Sequence, residues 1–119
     1  MDVMAFPRTD RPCWRRPVAA FELENRPEPE AIAYSVWKVS MVRCSFGGVF
    51  CYRRKLEEIP ELLRALAQEV LSRLHPPGEK DGTEILLVAG TRSKAEDFPD
   101  GFFKPYLWKS ALGQFRYLL

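Results

Sequence analysis

Histidine is almost absent from this sequence of 119 residues, which limits the catalytic mechanisms open to it. His75 is the only histidine, so any Ser-His-Asp or Cys-His mechanism would have to use that residue. The prolines that follow it place His75 in the last turn of a predicted helix, where a histidine commonly just favours the negative end of the helix dipole. The sequence therefore shows no catalytic constellation, and we expect a non-catalytic protein with no cofactor.

Cysteine is also scarce, with three residues in the chain. An odd number of cysteines is typical of a reducing compartment, so we expect a cytoplasmic location. Cys44 and Cys51 face each other in the hairpin predicted below, at a position where the side chains are poorly directed for a disulfide. We predict two adjacent thiols there, because a metal site would need further ligands that the sequence does not show.

Long apolar runs and a strong net charge are missing as well. No segment approaches the ~18 apolar residues of a membrane helix, and the first residues lack the apolar core of a secretory signal, so no membrane partner is expected. The net charge of +2 is too small to indicate a nucleic-acid binder by itself. With 46% hydrophobic and 29% charged residues, the composition is that of one ordinary globular domain.

The N-terminal residues 1–17 are predicted to form an irregular arm, and residues 18–119 a single α+β domain. Three prolines interrupt the arm, which also carries the cluster Trp14, Arg15 and Arg16. Arginine and tryptophan are common interface anchors, so the arm could clamp a partner. It could equally be a tail whose Trp14 packs on the surface of the domain.

The strongest pattern lies in residues 31–55, which predict a β-hairpin turning at Gly47 and Gly48. Two glycines between apolar, β-branched and aromatic runs indicate a two-residue turn, because both turn positions can require positive φ. The first strand changes phase near residues 41–42, which we interpret as a β-bulge. This register places four side chains on one face of the hairpin, namely Arg43, Phe50, Tyr52 and Arg54. Without a bulge, Trp37 would lie on the same face.

Two interpretations of this hairpin face remain open. Aromatic rings interleaved with arginines can stack bases and hold phosphates, as proteins that bind single-stranded nucleic acid do. Alternatively, the rings pack beneath a helix while the arginines stay in water at the rim, which is the commoner arrangement for aromatic strand residues.

The remaining segments predict a further helix, two strands and a final helix. Residues 18–24 read as an edge strand, and the spacing of apolar residues predicts a helix over 60–74. The continuous apolar run 85–89 is typical of a strand buried on both faces or central in a sheet. A last helix is predicted from Pro105 to the end of the sequence.

Two loop features carry weaker signals. Residues 90–94 follow a buried strand as a phosphate-binding turn would, but they lack the glycines of such loops, so an ordinary charged loop is favoured. Glu96, Asp97 and Asp100 could hold a metal ion, although three acids in one loop more often form a solvated surface.

Together these elements predict a two-layer α+β sandwich, in which two helices pack on a hairpin-led mixed or antiparallel sheet. The predicted order is (β)-β-β-α-β-α, preceded by the extended arm. An apolar C-terminal end needs cover, so we expect Tyr117 and Leu118 to contact another chain. The favoured function is a non-catalytic protein-interaction module, an accessory or regulatory subunit of a larger assembly or a self-associating one. The alternative is single-stranded nucleic-acid binding through the hairpin face.

Overall fold

The computed structural model describes residues 1–75, 84–91, 96, 98 and 102–118. Within these residues the chain is an α+β fold of two layers, a mixed sheet and a pair of helices, as predicted. The six strands lie side by side in chain order. Their bounds are β1 (Val3–Ala5), β2 (Ala19–Leu23), β3 (Phe46–Arg53), β4 (Glu84–Thr91), β5 (Phe103–Lys109) and β6 (Gln114–Tyr117).

Two crossover helices connect the middle strands. Helix α1 (Pro29–Ser40) joins β2 to β3, and helix α2 (Glu58–Leu66) lies between β3 and β4. Helix α2 continues through a π-helical segment (Ala67–Leu71) into a last turn (Ser72–Leu74). The crossovers make β2, β3 and β4 parallel, whereas β1, β5 and β6 each pair antiparallel with the neighbouring strand.

The hydrophobic core lies between the helices and one side of the sheet, which we call the helix face. Alternate residues of the strands point into it, because successive side chains of a strand project to opposite sides. Each large apolar side chain buried there stabilises the fold by about 1.5–3 kcal/mol. Fully buried members include Ile32, Val36, Val39, Val49, Ile59, Leu66, Leu71, Ile85 and Leu87.

Two buried glutamates help to hold α1 on the edge of this core. Glu22 and Glu24 project from β2 and its end towards the helix, where Lys38 Nζ lies 3.1 Å from Glu22 and Ser35 Oγ donates to Glu24 over 3.2 Å. Arg26 adds hydrogen bonds to Glu24 from its backbone and its side chain. The pKa of Glu24 is held below its usual value, chiefly by the hydrogen bonds from Arg26.

The predicted hairpin is wrong, because most of its predicted first strand belongs to helix α1 (Pro29–Ser40). Ile32, Val36 and Val39 lie at helical spacing and form one buried stripe. The apparent change of phase that we interpreted as a bulge marks the end of this helix at Met41. The β-branched and aromatic residues of the segment gave a strand signal that burial against the sheet overrides.

Gly47 and Gly48 lie inside β3 and make no turn. On the helix face, a Cβ at Gly47 would clash with Val39 of α1. On the other side, a Cβ at Gly48 would stand 2.8 Å from the ring of Phe21. The glycine pair therefore permits close approach on both sides of the strand, a known use of glycine within sheets.

The predicted last helix is also wrong, because the segment forms the hairpin of β5 and β6. Trp108 and Phe115 pair across it on the helix face, with ring centroids 5.4 Å apart. Gly113 adopts a positive φ of 64° in the connecting turn, a conformation that glycine allows at little cost. Leu112 is exposed in that turn.

Several other predictions are confirmed. The helix over 60–74 corresponds to α2 and its continuation, and the buried strand over 85–89 to β4. Residues 18–24 contain β2, but this strand is not at the edge because β1 pairs with its outer side. The arm therefore begins with a strand, followed by an irregular segment before β2.

The cysteines are not arranged as predicted. No disulfide joins any of the three, all of which are described. Cys44 precedes β3 and Cys51 lies inside it, so the two follow one another along the chain and do not face each other. Burial raises the pKa of the Cys51 thiol to about 12.

Candidate interaction surface

The side of the sheet opposite the helices carries an apolar surface, and we call it the open face. The strand registers arrange its side chains in rows that cross the sheet. The central row runs from edge to edge through Val3, Phe21, Gly48, Leu86, Leu107 and Arg116. The other rows are Ala5, Ala19, Phe46 and Glu84; Leu23, Phe50, Val88 and Pro105; and Tyr52, Gly90 and Phe103.

The open face is apolar but remains partly accessible to water. Leu23 is 48% exposed and Phe50 is 37% exposed, and most of the larger side chains around them are half-buried. Helices α1 and α2 pack on the opposite side, so neither covers these residues. Contiguous apolar patches of several hundred Å² are uncommon on monomeric proteins and commonly mark interaction sites.

Glycines in the strands seat the aromatic rings of this face against the backbone. Phe21 lies over Gly48, and Tyr52 lies over Gly90, where a Cβ would stand 2.9 Å from the ring. The ring of Phe21 also contacts those of Phe46 and Phe50, with centroids 5.9 and 6.5 Å apart. Rings held in this way present a surface whose shape is largely fixed before any partner arrives.

A groove of about 300 Å³ opens at the β1 side of the open face. Val3, Phe21, Leu23 and Phe50 line it, together with atoms of Asp2 and Glu22. The carboxylate of Asp2 accepts a hydrogen bond from the backbone N–H of Leu23 over 2.7 Å, which fixes β1 beside β2. A side chain inserted here would meet almost only apolar atoms.

Charged side chains are few on the open face. Among the described residues, Glu84, Lys109 and Arg116 are its charged members, and they lie on the strands β4 to β6. Lys109 and Arg116 make the β6 side basic, while Asp2 places one carboxylate at the opposite edge, beside the groove. The centre between the two edges carries no charge.

A second, polar cavity of about 480 Å³ adjoins the carboxyl ends of β2 and β3. Arg53 lines it, but its guanidinium donates to the carbonyl oxygen of Pro27 over 2.7 Å and to Glu58 over 2.9 Å. Its charge is therefore already compensated. Arg54 is exposed at the same cavity, which Tyr52 links to the open face.

The structure brings together only part of the predicted site. Phe50 and Tyr52 share the open face, and Arg54 lies just beyond it. Arg43 is exposed in the connection between α1 and β3, so the arginine-aromatic alternation does not form. Trp37 lies on the outer side of α1, stacked on Tyr34 with centroids 5.8 Å apart.

The other predicted residues are dispersed. Trp14 is fully exposed in the arm, where Arg16 is also exposed and Arg15 lies over the ring of Phe6. Tyr117 projects from β6 on the helix-face side, beside Tyr106 at 5.5 Å. The N–H of Leu118 bonds to Pro105. Leu86 and Leu107 were not predicted as surface residues, because the apolar run 85–89 shows no polar alternation that would mark an accessible side.

Neither a metal-ligand cluster nor a membrane-spanning helix occurs among the described residues. No cluster of three potential metal ligands occurs among them. Of the predicted loop features, residues 92–95, Asp97 and Asp100 lie outside the described residues, and Glu96 is exposed. In the described part of the chain, no helix has the length and apolar character needed to cross a membrane.

Comparisons with protein families, with curated protein sequences and with solved structures found no match to this chain. Its function must therefore be inferred from its own surface.

Proposed function

We propose that this chain is a protein-interaction module, an accessory or regulatory subunit that binds a protein through the open face of its sheet. The observation that supports this is the combination of a sheet covered by helices on one side and a continuous apolar, aromatic surface on the other. Removing apolar surface from water is the main driving force of protein association. Phe50 lies near the centre of this surface and is its main candidate anchor.

The position of the open face on strands suits a docking role. Side chains on a hydrogen-bonded sheet are held more precisely than those on loops. They therefore lose less conformational entropy when a partner binds. Phe21 and Tyr52 are further constrained by the glycines beneath them. Two rigid rings and the groove beside Leu23 would then give a partner a shaped site.

The composition of the open face supports a protein partner more than a nucleic acid. Aliphatic side chains such as Leu86, Val88 and Leu107 lie among the rings, and the centre carries no basic residue. Binding to nucleic acid depends on positive charges that meet phosphates. Arg53, in the strand that carries the aromatic rings, points to the helix face and bonds to Glu58.

Photo-crosslinking in cells of the native host tests the proposal. A benzophenone amino acid replaces Phe50 on the open face, and in the control it replaces Tyr34 on the outer side of α1, which is also an exposed aromatic residue. We expect the Phe50 position to give a discrete protein adduct that the Tyr34 position does not give. Adducts with nucleic acid alone, or equal adducts at both positions, would contradict the proposal.

A further inference from the structure

We propose that the occupant of the open face is a second copy of this chain, so that two sheets pack face to face in a symmetric dimer. This inference rests on the proposed function and names the partner. It is carried by the size of the face, its lack of central charge and the opposite charges at its two edges.

The open face is large enough for a stable dimer. Six strands spaced about 4.8 Å apart and rows about 7 Å apart give a flat area of roughly 500–700 Å². The accessible area of such a pleated surface is larger than its flat area, and a standard interface buries about 800 Å² on each partner. Contact over most of this face would thus meet the usual requirement for specific association.

The chemistry of the face suits a copy of itself. Stacked sheets pack about 10 Å apart with their strands nearly aligned, and their inner faces are apolar. The rows through Phe21 and Phe50 are uncharged across β2, β3 and β4, so a second copy would bury no unpaired charge at the centre. The sandwich would have the helices of both copies on the outside.

The edge charges indicate how the copies are aligned. The central row ends at Val3, next to Asp2, on one edge and at Arg116 on the other. A two-fold axis parallel to the strands, between β3 and β4, lays β1 of one copy against β6 of the other. Asp2 and Arg116 then meet twice, once at each edge, because a two-fold interface repeats each contact.

Sedimentation velocity on the purified full chain tests this dimer over a range of concentrations. We expect the wild type to form a species of two 13.8-kDa chains and Phe50→Asp to sediment as one chain. The matched control is Leu112→Asp, an exposed leucine in the β5–β6 turn and outside the open face, which should leave association unchanged. Circular dichroism and a melting curve establish that each variant is folded.

A charge exchange tests the alignment. Arg116→Glu should raise the dimer dissociation constant about tenfold, because two attractive contacts become repulsive. Adding Asp2→Asn should restore part of the loss, because it removes the repulsion while its side-chain oxygen can still accept the hydrogen bond from Leu23. An Arg116→Glu chain that dimerises like the wild type would overturn this alignment. A wild type that stays monomeric at every concentration would overturn the second copy as occupant. In that case, a crosslink from the Phe50 position to a different protein would still support the proposed function. The absence of any protein crosslink from this position would contradict both the dimer and the proposed function.

Discussion

At the residue scale, Gly47 sets how closely helix α1 approaches the sheet. A Cβ at this position would clash with Val39 and stand 3.1 Å from Ile85, two fully buried side chains with little room to move. We expect Gly47→Ala to destabilise the fold by about 1–3 kcal/mol, the usual cost of overpacking a core. Urea unfolding monitored by circular dichroism measures this free energy.

The neighbouring glycine provides the control. Gly48→Ala directs its methyl group to the open face, where it meets the ring of Phe21, which is only half-buried and therefore shifts at lower cost than the fully buried Val39 and Ile85. Its cost should be clearly smaller than that of Gly47→Ala. A larger loss of stability for Gly48→Ala would mean that the two faces of β3 are assigned the wrong way round.

The carboxylate of Glu24 makes stability depend on pH. Because hydrogen bonds from Arg26 and Ser35 lower its pKa in the folded state, the unfolded chain binds this proton more tightly. The resulting stabilisation is complete above the unfolded pKa of about 4.3 and is lost as the pH falls through the lower folded value.

We therefore expect the stability of the wild type to fall more steeply than that of Glu24→Gln between about pH 6 and pH 3. Urea midpoints of both proteins across this range provide the measurement. The two curves should converge towards acid pH, and curves that stay parallel would show that Glu24 is not the group responsible.

At the scale of elements, a helix or strand could be predicted where its pattern of apolar residues has a single interpretation. Helix α2 carries a regular apolar stripe, and β4 is a short continuous apolar run, so both could be predicted. The segment of α1 combines helical spacing at Ile32, Val36 and Val39 with β-branched and aromatic residues that favour strands. Packing against the sheet decides between them, and packing depends on distant parts of the chain.

The C-terminal hairpin shows the same ambiguity. Trp108 and Phe115 fit a helical stripe, and they fit equally well two strands joined by a turn. The decisive residue is Gly113, whose positive φ the turn requires. Glycine at this position therefore weakens the predicted helix and permits the turn of the hairpin.

We expect Gly113→Ala to destabilise the fold by about 1 kcal/mol, because an L-residue with a Cβ is strained at positive φ. The exposed Leu112 in the same turn supplies the control, and Leu112→Ala should change stability by less than about 0.5 kcal/mol. Equal urea midpoints for Gly113→Ala and the wild type would argue against this turn.

At the scale of the whole molecule, the part of the chain that the structure describes leaves one side of a six-stranded sheet without a helical layer. That Phe50 and Tyr52 share a face could be predicted, because alternation along one strand requires no knowledge of its neighbours. The rest of the open face could not, because Phe21, Leu86 and Leu107 join it through parallel and antiparallel pairings that sequence periodicity does not specify.

Hydroxyl-radical footprinting of the chain, alone at high dilution and within the assembly purified from its native cells, tests the central claim most directly. If the open face is the interface, Phe50 and Tyr52 are oxidised several-fold more slowly in the assembly. Tyr34 and Trp37 on the outer side of α1 should then be oxidised at the same rate in both samples. Protection of Tyr34 and Trp37 with no change at Phe50 and Tyr52 would contradict the account.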